Sequence, residues 1–256
     1  MKTVVLIGVA WLLALSLPAG AKEKAAPTLT LSRGARVGIV NLLDPEITQY
    51  HSSSVIQDSF LKTYTVDWQV AALLADAVKQ RISQLGLEAV SVAPSVGLTR
   101  GRQEFFIDGS VSRGLSKACA AELTQMAVAN HVDAFIVLAP GLNDSAHATG
   151  SRRKDLPDYL RGWGFATRAN DPPGAYPAVF NMTQMLLVSG TGGVALLRAL
   201  EWGGDYAYSW STYTLPADLK QPPADELDTL KPIFAEIMTR QSNRLFDQIY
   251  VVGAPQ

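Results

Sequence analysis

The chain has 256 residues, 48% of them hydrophobic and 18% charged, with 22 basic and 23 acidic side chains. The apolar fraction excludes a wholly disordered chain, the absence of a glycine period excludes collagen, and the near-balance of charge argues against a nucleic-acid partner. A single cysteine excludes an intrachain disulfide and a thiolate-rich zinc site.

Lys2 gives a positive start, and Val4 to Leu17 form an apolar run interrupted only by Gly8 and Ser16. The run is too short for a membrane span. Pro18 breaks it, and Ala19-Gly20-Ala21 supplies small residues at the positions a signal peptidase reads. Residues 1–21 therefore read as a cleavable signal peptide, with Lys22 as the expected first residue of the mature protein. Lipid anchoring would need cysteine at the cut, and the cysteine is Cys119. The expected location is the bacterial periplasm, with no transmembrane segment in the mature chain.

Residues 22–33 are polar and alanine-rich and read as a flexible segment, and 34–256 read as one α/β domain. Arg36 to Leu43 is a short, β-branched apolar run suited to a strand buried on both faces. From Asp67 the period changes: Val70, Leu73, Leu74, Ala77, Val78, Ile82 and Leu85 share one helical face. Thr65 or Asp67 is the expected cap, and Gly86 the expected left-handed stop. Glu88 to Ala93 is a second strand, and Ser116 caps a helix with Cys119, Leu123, Met126 and Ala127 inward. Val132 to Ala139 is the third strand. A β-α-β-α-β unit of this kind makes a parallel sheet with covered faces.

The second half follows another rule. Ala178 to Val188, Val194 to Trp202 and Asp205 to Thr214 are strands in succession, separated by glycine-rich turns that make hairpins. In the last of them Tyr206, Tyr208 and Trp210 lie on one face, an alternation that reads as core before it reads as a stacking surface. Leu230, Phe234, Ile237, Met238, Leu245 and Ile249 then recur at helical spacing, with Pro232 tolerable in the first turn. The expected whole is one mixed sheet: a parallel start, an antiparallel meander and a packing helix at the end.

Three connections stand out for length: 44–66, 94–115 and 140–177. All three leave the carboxyl edges of parallel strands, where open α/β sheets bind ligands. Asp44, Glu46, His51, Asp144 and His147 form a weak oxygen and nitrogen metal set on these loops. Ser52-Ser53-Ser54 beside His51 offers hydroxyls near a base, without the G-x-S-x-G turn of a hydrolase. Neither G-x-x-x-x-G-K nor G-x-G-x-x-G occurs, so no cofactor is expected. Cys119 reads as a buried structural thiol. Asn181-Met182-Thr183 matches a glycosylation sequon but falls within a strand.

The third loop differs in kind. Arg152, Arg153, Lys154, Arg161 and Arg168 are interleaved with Tyr159, Trp163 and Phe165, a mixture suited to an anionic or carbohydrate-containing partner. Asp155, Asp158 and Asp171 dilute the charge. Arg152, Arg153, Tyr159, Arg161 and Trp163 are the expected binding residues, with Trp163 the expected hot spot.

The β-α-β-α-β start, the hairpin LLVSGTGGVALLRAL at 186–200 and the final helix together resemble exported α/β modules such as the amino-terminal domain of TolB and the LpoB-type envelope proteins. The likeness covers most of the mature chain and lies in the pattern of elements. Two functions follow as expectations. One is a non-enzymatic binding or adaptor protein contacting an envelope protein or surface polymer through the loop rim. The alternative is a periplasmic hydrolase, metal-assisted or serine-based, with residues from the same loops.

Overall fold

A computed structural model of the chain describes residues 29–53, 59–100, 115–140, 142–144, 159–169, 178–190, 194–201, 224–247 and 249–253. The fold is α/β with a mixed sheet. In chain order the described elements are β1 (Leu29–Ser32), β2 (Arg36–Asn41), β3 (Glu46–Ser52), β4 (Phe60–Thr65), α1 (Val70–Gln84), β5 (Glu88–Val92), α2 (Val96–Arg100), α3 (Lys117–Asn130) and β6 (Ala134–Pro140). They continue with β7 (Leu142–Asp144), β8 (Tyr159–Arg168), β9 (Ala178–Ser189), β10 (Ala195–Glu201), α4 (Ala224–Asp228), α5 (Lys231–Phe246) and β11 (Ile249–Val252).

β2 lies between β5 and β6 and is parallel to both, with Val37 opposite Ala89 on one side and Ala134 on the other. This is the expected β-α-β-α-β unit. All seven residues of β6 are buried, as a strand covered on both faces requires. α1 and α5 cover one face: Val70, Leu74, Val78 and Ile82 pack in the same cluster as Ile39, Ile136, Phe234 and Met238. The opposite face carries Val40, Val92, Phe135 and Val137 against Leu98, Cys119 and Leu123 of α2 and α3. Ser116 caps α3 by accepting from the Cys119 amide, and Cys119 is buried as read.

The β9–β10 hairpin is antiparallel, with Ser189 opposite Ala195, and β9 extends the sheet beside β6 with Phe135 opposite Val188. The strand expected at Asp205 to Thr214, with its aromatic face, lies outside the described residues. β9 is long, and its two halves have different neighbours. Residues from Thr183 onward pair with β6, whereas Ala178 to Met182 pair with β8. β8 is parallel to β3, and β3 is antiparallel to β4. Hence β2, β3, β5, β6, β8 and β10 run one way and β4, β7 and β9 run the other. β3 starts within a few residues of the end of β2 yet points in the same direction, so β4, β3 and β8 form an outer tier beyond the carboxyl rim of the parallel strands.

That tier corrects the reading of 44–66 and 140–177 as loops. Both segments contribute strands: Ile47, Gln49 and His51 share one buried face of β3 and Trp163, Phe165 and Thr167 one buried face of β8, while Tyr50, on the other face of β3, is buried too. Gly162 has φ +69°, a left-handed conformation glycine adopts freely. It sits where β8 passes from β7 to β9. In the second expected loop, residues 96–100 form α2.

Three smaller expectations are also corrected. The segment 22–33 contains β1, whose Leu29 and Leu31 pack into the core while Thr30 and Ser32 face out. β1 pairs in parallel with β11, Leu29 opposite Ile249, so Ile249 belongs to a strand and not to the last turn of the helix. α1 is preceded by Gln69 with φ 44° and no side-chain cap, so neither Thr65 nor Asp67 caps it. Its stop is as expected, with Gly86 at φ +73°.

Candidate functional site

The outer tier encloses a chain of polar side chains. On β3, residues 47, 49 and 51 share a face, as do residues 163, 165 and 167 on β8, and the register sets His51 opposite Thr167. Thr167 Oγ1 lies 2.8 Å from His51 Nδ1 and accepts from Gln49 Nε2 at 3.2 Å. Gln49 Oε1 accepts in turn from the Tyr64 hydroxyl of β4 at 2.7 Å. The His51 ring stacks on Phe60 of β4, with centroids 5.0 Å apart. Gln49 and Thr167 are fully buried and His51 nearly so. One hydroxyl on β8 thus bridges two side chains of β3, and the amide of one of these reaches β4.

A second contact ties the tier to the parallel unit. Trp163 Nε1 donates to the carbonyls of both Asp44 and Glu46, at 3.2 and 3.1 Å. Asp44 lies in the connection from β2 to β3, and Glu46 is the first residue of β3. The indole fastens that connection against β8 and is 1% exposed. Trp163 is therefore not a surface anchor for a partner, a correction that follows from strand alternation: the side chain that looked exposed on a loop faces the helices from a strand.

The expected metal set does not assemble from its described members. Glu46 and His51 lie five positions apart on one strand and hence on opposite faces; Glu46 is exposed while His51 is buried. Asp144 ends β7, and His147 lies outside the described residues. No three of His, Cys, Asp and Glu gather to hold a metal among the described residues. In the serine run beside His51, the Ser53 backbone amide donates to Ser59 Oγ at 2.9 Å, and Ser54 lies outside the described residues.

Of the expected binding residues, Arg152 and Arg153 lie outside the described residues, and Tyr159 and Arg161 fall in the first turn of the β8 ladder, opposite Asp144 and Leu142. The register of β7 with β8 sets Asp144 beside Tyr159, so the two ends of 145–158 emerge side by side at the far end of the outer tier. Sequence reasoning missed Gln49, Thr167 and Tyr64. The signal available was the alternation T-Q-Y-H and F-A-T within 44–66 and 163–168, obscured by the Gly, Pro and Ser residues around it.

No family model matches the chain, and no curated protein matches it. Among solved structures it is similar to the hypothetical protein CT253 from Chlamydia trachomatis, with 11% sequence identity over 82% of this chain and 96% of that one and a TM-score of 0.31. Among the described residues no helix is long and apolar enough to cross a membrane.

Proposed function

We propose that the chain is an exported, non-enzymatic binding or adaptor protein of the bacterial cell envelope, periplasmic after cleavage at Ala21. It contacts an envelope protein or an anionic or carbohydrate surface component through the outer tier. The observation that carries this reading is the β7–β8 register, which joins the two ends of 145–158, with Arg152 and Arg153, to paired strands. Binding residues are found disproportionately on connections presented by paired strands, and Arg is enriched in binding hot spots. The hydrolase reading would need His51 to reach a substrate. Its ring instead lies buried on Phe60 with Nδ1 engaged by Thr167, so it supports the sheet.

Two experiments test the proposal. Amino-terminal sequencing of the exported protein should read from Lys22, and retention of residues 1–21 would make the segment an anchor. Purified mature protein, incubated with cell-wall sacculi and with envelope extract, should retain a partner that the variant Arg152→Glu, Arg153→Glu, Arg161→Glu loses. Equal recovery by wild type and variant would remove the basis for the reading. Hydrolysis of an envelope substrate, abolished by His51→Ala in a folded protein, would replace it with the enzymatic one.

A further inference from the structure

We draw no further inference here: the strongest candidate, the edge of β1 that pairs with no strand among the described residues, beside the cavity lined by Thr30, Ser32 and Asp133, carries none because nothing in the structure shows what covers it.

Discussion

His51 Nδ1 and Thr167 Oγ1 lie 2.8 Å apart inside the sheet, on adjacent parallel strands that meet in register. The same hydroxyl accepts from Gln49, so its removal strands polar groups on both side chains where water does not replace it. Thr167→Val keeps the shape and loses the oxygen. It should cost about 1–3 kcal/mol in urea unfolding, the penalty of leaving a buried partner unsatisfied. Thr167→Ser, which keeps the hydroxyl, should recover most of the hydrogen-bonding part. Equal loss in both variants would mean that the methyl, not the oxygen, matters.

Trp163 makes a contrasting test, because its side chain was the expected hot spot and is instead a clamp. Trp163→Phe removes the donor to Asp44 and Glu46 and keeps most of the buried surface, so about 1 kcal/mol is expected. Trp163→Ala also opens a cavity beneath β3 and should cost about 3–5 kcal/mol. Thermal unfolding of the two variants checks the order. An unchanged midpoint for Trp163→Ala would return the indole to the surface.

These two residues also show where the sequence was legible. Periodicity identified α1 and its buried face correctly, because Val70, Leu74, Val78 and Ile82 are spaced for one helix stripe and nothing in between contradicts it. The parallel unit was equally plain: β2 and β6 are near-continuous apolar runs, and that pattern arises when both faces are covered. The outer tier was not. In β3 and β8 one buried face is partly polar, Gln49 and His51 meeting Thr167, and Tyr50 on the other face of β3 is buried too, so neither apolar with polar nor buried with exposed residues alternate along the strand. Polar residues that satisfy one another inside a sheet look in sequence like polar residues in a loop. β1 and β11 were missed for a different reason. Each is four residues long, and a pairing between the two ends of the chain leaves no local trace.

Gly38 is the position where the central strand has no room. A Cβ built there would stand 2.7 and 2.8 Å from the Phe135 ring and 3.2 Å from Val92. Phe135 is fully buried on the neighbouring strand, so its ring can make room only by repacking its neighbours. Gly38→Ala should therefore destabilise by about 1–3 kcal/mol through overpacking, against the usual gain from replacing glycine in a strand. The double variant Gly38→Ala, Phe135→Leu should recover part of the loss. Additive losses in chemical denaturation would show that the ring and the glycine do not share the space.

Glu226 sets a pH dependence whose sign can be worked out. Burial first, and the neighbouring Asp225 carboxylate second, raise its pKa above the ordinary value of 4.5. Its Oε2 is buried without a hydrogen-bond partner among the described residues. The folded protein therefore keeps this proton to higher pH than the unfolded chain does. Between 4.5 and the raised folded value the native state binds more protons, so the contribution of Glu226 to stability falls as pH rises through that window and is constant above it. Glu226→Gln cannot ionise and should escape the fall. Urea midpoints of wild type and variant, measured at successive pH values, should diverge in favour of the variant as pH rises across the window and then run parallel. Asp225→Asn removes the second cause and should shrink the divergence without abolishing it, since burial remains. A gap between wild type and Glu226→Gln that is the same at every pH would show that the carboxyl titrates alike in the folded and unfolded chains.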